Sequence, residues 1–227
     1  MQIKGIDISR HQRAGEVNFK KLRELGYDFV MIRAGYGKFA SQKDTAFEQH
    51  YSEAVKAGLY AGAYHYSYAL NTREAIEEAD CFLTWIKGTR LEYPVAFDIE
   101  DECQKKLTNA QRTDIALAFM QRVEDAGYYT MLYSSAYWLG SKLDMKRLSH
   151  FDVWCAAYVG SQENIKKYYD GPYGMWQYSS DTVLPTVYRS RLDQDYAYKD
   201  YARIIRDAGL NHLDSICRET VDLSRYE

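Results

Sequence analysis

The sequence predicts an α/β fold: an irregular TIM-like barrel of five β/α units followed by three strands with few helices between them. Three observations carry this expectation. First, a helical stretch repeatedly ends at a glycine that leads straight into a short apolar strand, as in Glu24-Leu25-Gly26-Tyr27-Asp28-Phe29-Val30, Lys56-Ala57-Gly58-Leu59-Tyr60 and Asp125-Ala126-Gly127-Tyr128-Tyr129. Glycine there supplies the left-handed residue that stops a helix. Second, eight strand-like runs occur in order, and helical patterns separate the first five, as right-handed parallel units require. Third, the last three runs are joined by connections too short for such helices, so the final third is expected to be irregular. An open doubly wound sheet is the alternative arrangement.

The expected strands are 3–8, 29–34, 60–66, 93–99, 129–133, 153–157, 174–178 and 188–192. Helix starts are legible as capping-box spacings, Asn71 with Glu74 and Thr108 with Gln111. Between the caps and the glycine stops lie amphipathic stretches, for example Ile115, Leu117, Ala118, Met120 and Val123. A last helix is expected over about 198–207. The chain therefore reads as one catalytic barrel domain over 1–210 and a C-terminal polar tail over 211–227.

Composition narrows the function classes. With 227 residues and 46% hydrophobic content, one large domain can bury a full core. The net charge of −3 comes without any basic run or basic helix face, which argues against a nucleic-acid partner. The 22 tyrosines are the outstanding feature. Their flat rings and polar hydroxyls suit a wet cleft that grips sugars, although tyrosine is also simply a good strand former. Cys81, Cys103, Cys155 and Cys217 show no metal-site spacing and read as reduced thiols. No apolar run is long enough to cross a membrane, and the first residues lack a signal-peptide pattern. A protein acting outside the cell would then stay cytoplasmic until released, or be a processed form.

In a parallel barrel, functional residues gather at the C-terminal strand ends. Those ends offer Asp7, Ser9 and His11; Arg33 and Tyr36; Tyr64, His65 and Tyr66; Asp98 and Glu100; Tyr133; Trp154 and Tyr158; Trp176, Gln177 and Tyr178; and Asp193 and Asp195. The sharpest element is Val95-Ala96-Phe97-Asp98-Ile99-Glu100. Strand alternation puts Asp98 and Glu100 on one face, roughly 6.5–7 Å apart. Two inward carboxylates oppose each other's ionisation, so one stays protonated near neutral pH, as glycoside cleavage requires. Asp98 sits poorly for direct attack on the sugar. It sits well to orient a substrate 2-acetamido group whose carbonyl oxygen attacks the anomeric carbon. A covalent nucleophile, Asp98 or Asp193, is the competing mechanism. Tyr64, Tyr66, Tyr133, Trp154, Trp176 and Tyr178 are candidates for stacking on sugar faces, with Arg33, Tyr36 and Gln177 as further contacts. His65 should point away from Tyr64 and Tyr66, as a core histidine.

Other chemistries find little support. Gly35-Tyr36-Gly37 is a weak dinucleotide fingerprint, because no helix opens directly after it. No G-x-S-x-G elbow is present. The five histidines are scattered, so neither a metal nor a cofactor is expected.

These segments together resemble glycoside hydrolase family 25 lysozymes: Gly5-Ile6-Asp7-Ile8-Ser9, Ile32-Arg33-Ala34-Gly35-Tyr36-Gly37, Gly62-Ala63-Tyr64-His65-Tyr66, Asp98-Ile99-Glu100, Trp176-Gln177-Tyr178 and Asp193. The resemblance spans about residues 3–207. It implies an N-acetylmuramidase of the endolysin or autolysin kind, cutting the β-1,4 bond from N-acetylmuramic acid to N-acetylglucosamine in bacterial peptidoglycan. It further implies Glu100 as acid/base, Asp98 as its partner, and Asp7 and Asp193 as two more active-site acids. Where the family often has asparagine, this chain has Asp195, whose extra charge could move the pH optimum. The separate wall-binding repeats common in the family are also missing. A monomer is expected, without membrane insertion. A chitinase-like N-acetylglucosaminidase and a non-catalytic glycan-binding barrel are the alternatives.

Overall fold

The computed structural model describes residues 2–213. Eight strands close into a barrel in chain order: β1 (Ile3–Ile8), β2 (Tyr27–Tyr36), β3 (Tyr60–Tyr66), β4 (Val95–Asp98), β5 (Thr130–Ser135), β6 (Asp152–Ala156), β7 (Met175–Leu184) and β8 (Tyr188–Ala197). Closure excludes the open-sheet alternative. Neighbours from β1 to β7 pair in parallel, whereas β8 runs antiparallel to both β7 and β1.

Helices α1 (Phe19–Glu24), α2 (Phe47–Lys56), α3 (Thr72–Ile86), α4 (Asn109–Asp125) and α5 (Ala136–Ser141) follow the first five strands. Their ends behave as the spacing predicts. Asn71 accepts from the Glu74 backbone N–H, and Thr108 and Gln111 form a reciprocal capping box. Gly26, Gly58 and Gly127 take positive φ of 81°, 80° and 88° just past α1, α2 and α4. After β6 only a short α6 (Gln162–Ile165) intervenes, and a three-residue turn joins β7 to β8.

Strand alternation sorts the apolar residues into two shells. Outward residues such as Ile6, Ile8, Val30, Ile32 and Phe97 pack under the helices. Inward residues, among them Phe29, Met31, Ala96, Met131, Trp154 and Met175, fill the barrel itself. Two glycines make that filling possible. A Cβ on Gly5 would stand 2.3 Å from the Phe29 ring, and one on Gly62 2.4 Å from Met31 Sδ.

The bottom is closed by α7 (Tyr201–Asp207), whose Tyr201, Ala202 and Ile205 join the inner shell. Asn211 completes the closure. It is fully buried, takes φ 57°, accepts from the Tyr129 backbone N–H at 2.7 Å and donates to Leu91 O and Tyr93 O at 2.8 and 3.0 Å. Residues 211–213 thus belong to the packed domain and not to a polar tail; the rest of the expected tail, with Cys217, lies outside the described residues. Cys81, Cys103 and Cys155 are unbridged. No helix of the described residues is long and apolar enough to cross a membrane.

Candidate active site

The C-terminal ends of β1–β6, with the middle of β7 and of β8, surround a cleft with about 760 Å³ of open volume. Every parallel strand except β7 ends there, and β7 and β8 continue past the rim as a hairpin. Its tip is seated on the β1–α1 loop, where Asn18 N–H donates to Val187 O at 2.8 Å. The cleft gathers Asp7, Arg33, Tyr64, Tyr66, Asp98, Glu100, Tyr133, Trp154, Gln177 and Asp193, all anticipated from strand ends.

Four of the acids converge as expected, but Asp193 arrives by a different route. It is not at a strand end. It lies in the middle of antiparallel β8, directly across from Asp7, while Asp195 faces Gly5 on one side and Gln177 on the other. The Asp7 and Asp195 carboxyls lie close enough for each to alter the other's proton affinity. Trp154 Nε1–H donates to Asp195 Oδ1 at 2.8 Å, and Gln177 Nε2–H donates to Asp7 Oδ2 at 2.6 Å. The Gln177 carbonyl in turn accepts from the hydroxyls of Tyr133 and Tyr158 at 2.9 and 2.6 Å.

Burial and like charge dominate the electrostatics. Burial pushes Asp7 well above the carboxylate range, and the charges of Asp195 and Asp193 add to it against the Gln177 hydrogen bond. Asp195 is raised by burial despite its bond from Trp154. Burial also raises Asp98, and the neighbouring Glu100 charge raises it further, while Arg33 pulls the other way. Half-buried Glu100 is raised by burial and then by Asp101 and Asp193. Burial pushes Asp193 up to about 6. Two carboxylate oxygens, Asp98 Oδ1 and Asp195 Oδ2, are buried without a hydrogen-bond partner. The arrangement can therefore hold a proton on an acid at the open face of the cleft. Beneath that acid lies a second carboxyl with a free acceptor.

Three predicted contacts fall elsewhere, and one of them, Tyr178, stacks on Tyr196 at 4.3 Å outside the cleft. Trp176 does not reach the cleft: Gln177 points inward, so its neighbour points outward, where Trp176 Nε1–H donates to Ala157 O at 2.8 Å and the ring packs on Tyr178 and Tyr196. Tyr36 sits in an adjoining groove at the rim. His65 is a core residue, fully buried, 3.2 Å from Glu78 Oε2 and stacked on Trp85. Ser9, His11 and Tyr158, noted at strand ends but not counted among the site residues, do line the cleft, as do Gln12 and Ser180. The last two come from rim loops and the hairpin, where residue type gives no signal.

A family model, "Glycosyl hydrolases family 25", matches residues 6–187. The chain belongs to glycosyl hydrolase family 25. Lysozyme M1 of Streptomyces globisporus is 28% identical over 191 residues, covering 78% of this chain and 62% of that protein. The lysozyme of Streptococcus phage Cp-9 is 32% identical over 184 residues, covering 78% of this chain and 50% of that protein. The chain thus spans about half to three fifths of the length of these curated relatives. Among solved structures, the CTP1L endolysin superposes with a TM-score of 0.75 at 25% identity, covering 90% of this chain and 70% of that one. The autolysin LytC of Streptococcus pneumoniae, solved with a synthetic peptidoglycan ligand, gives 0.72 at 28% identity, covering 87% and 47%. The eight-stranded barrel with its sparse final helices is the architecture this family shares.

Proposed function

We propose that this family 25 protein is a peptidoglycan muramidase with Glu100 as general acid/base and Asp98 as the group that positions the substrate's 2-acetamido arm. The observation that carries the reading is the stacking of two unlike carboxyls in one cleft. Glu100 is half-buried with its proton affinity raised, and Asp98 is buried below it with an unpartnered oxygen. The lysozyme relatives and the autolysin with its peptidoglycan ligand support the substrate class.

In this mechanism the Glu100 proton passes to the glycosidic oxygen as the bond from that oxygen to the anomeric carbon breaks. The acetamido carbonyl oxygen bonds to the anomeric carbon, and Asp98 accepts the acetamido N–H on its free oxygen. Water then attacks the anomeric carbon. Its proton returns to Glu100, the internal ring opens, and configuration is retained. Tyr64, Tyr133 and Trp154, packed edge to face at 6.1 and 4.6 Å, form an aromatic wall for the sugar. The Asp7–Gln177–Tyr133 chain holds that wall in register.

Mass spectrometry of digested cell wall tests the assignment. Muramic acid at the new reducing ends is the expected product. N-acetylglucosamine ends, or cleavage of chitin oligomers alone, would replace it with a glucosaminidase. Binding without cleavage would leave a glycan-binding barrel, and a trapped glycosyl-enzyme adduct would replace substrate assistance with a covalent nucleophile.

A further inference from the structure

Beside the cleft lies a second groove with about 520 Å³ of open volume, lined by Arg10, His11, Arg33, Tyr36, Tyr66 and Tyr68. It shares His11, Arg33 and Tyr66 with the cleft, so the two are continuous. We propose that this groove is a carboxylate-binding subsite, built on Arg10 and Arg33, for the acidic substituent on carbon 3 of the muramoyl ring. The proposal rests on the muramidase reading and sharpens it into a basis for choosing muramoyl over glucosaminyl rings.

The two arginines are held for such a role. Arg10 Nη1–H donates to the Tyr36 hydroxyl at 3.0 Å, with its guanidinium 5.0 Å from the Tyr36 ring centre. Arg33 lies 5.6 Å from the same ring. One buried acid, Asp44, fixes both. Its Oδ2 accepts from Arg10 N–H at 3.1 Å and from Arg33 Nε–H at 2.8 Å, and its Oδ1 accepts from Ala46 N–H at 3.0 Å. Asp44 is thereby fully engaged inside the fold. The Arg10 guanidinium forms no ion pair among the described residues, and Arg33 Nη2 is buried without an acceptor. The other acid at this edge, Asp101, is already bonded to the Tyr66 hydroxyl and the Cys103 backbone N–H. A planar fork of unspent N–H donors beside an aromatic face suits a carboxylate.

Ring chemistry supplies the link to the substrate. The acetamido group and the lactyl ether occupy adjacent carbons, 2 and 3. A ring whose acetamido arm meets Asp98 presents its lactyl arm one carbon away. Arg33, whose charge Asp98 feels, spans from there into the groove. N-acetylglucosamine has only a hydroxyl at carbon 3 and gives the arginines nothing to bind. Two carboxylates fit this chemistry: the free lactyl carboxylate of glycan stripped of peptide, and the carboxylates of an attached stem peptide.

The test compares kcat and KM of the full chain and its Arg10→Gln variant on stem-bearing glycan strands, amidase-stripped strands and chitin oligomers. Arg13→Gln, an exposed arginine outside the groove, controls for overall charge, and thermal melting checks folding. For Arg10→Gln we expect KM to rise about tenfold on at least one muramoyl substrate, with kcat kept and little change on chitin oligomers. A rise only on stem-bearing strands identifies the stem carboxylate, and a rise on stripped strands identifies the lactyl carboxylate. Equal loss on all three substrates, no loss on any, or the same loss with Arg13→Gln overturns the subsite. Failure of the unaltered chain to cut any muramoyl strand overturns the activity reading instead, and is seen before any variant is compared.

Discussion

At the bottom of the barrel Asp152 is met by the Tyr201 hydroxyl at 2.7 Å, the Tyr129 hydroxyl at 3.3 Å and the Lys199 ammonium at 2.8 Å, all on one oxygen. At the mouth, Asp7, Asp98 and Asp195 are buried more deeply, yet Asp7 and Asp195 face each other and Asp98 faces Glu100. The cation beside them, Arg33, is already bonded to Asp44. One barrel thus carries the same residue type in two conditions. At the bottom an acid is surrounded by donors and ties a closing helix to two strands. At the mouth acids crowd together, which costs stability and raises their proton affinity.

The largest effect that sharpens this contrast is expected from Glu100→Gln. Lysis should fall about 10²- to 10⁴-fold, with glycan binding and melting temperature kept or improved. Turbidity clearing, a pull-down on cell walls and calorimetry check this, and undiminished lysis would remove Glu100 from its role. Asp152→Ala should do the reverse. Losing three donors' acceptor at a closed end should cost about 2–3 kcal/mol, lowering the melting temperature by about 5–10 °C, with kcat per folded molecule unchanged. A lowered kcat at unchanged melting temperature would break the division between the two ends.

The smallest effect concerns pH. A buried carboxyl whose proton affinity is raised by folding contributes stability that is present below its ordinary range and lost as pH climbs through the raised value. Asp7, Asp98, Asp193 and Asp195 all work in this direction, and the Asp193 window runs from 3.8 to about 6. Melting temperature should therefore decline from about pH 4 to above pH 6. Asp195→Asn should flatten that decline, because Trp154 keeps its acceptor while Asp7 loses a like charge. An equally steep decline in the variant would mean that Asp195 is not part of the acid cluster.

The helix–glycine–strand rhythm made the first five units legible, because caps and stops are local and the apolar period is strong. The closing hairpin was not. The sequence reading ended β7 at Tyr178 and β8 at Leu192, whereas the strands run to Leu184 and Ala197. Ser179-Ser180-Asp181-Thr182 looks like a loop, but backbone pairing in a protruding hairpin makes little demand on side chains. Strand direction is a tertiary property, so Asp193 was expected in the cleft for the wrong reason. Trp176 shows a rule applied unevenly: the alternation that turned His65 away from Tyr64 and Tyr66 also turns Trp176 away from Gln177. The capture of Arg33 by Asp44 joins a strand to a loop and left no trace in spacing.

Asn211 has a practical corollary for anyone joining this barrel to another module. Its amide plugs three backbone groups from two separate connections, at Leu91, Tyr93 and Tyr129, in the manner of a keystone set last into an arch. A fusion seam placed ahead of it would expose those groups inside a sealed floor. A seam after Leu213 keeps Asn211 and its three bonds in the chain.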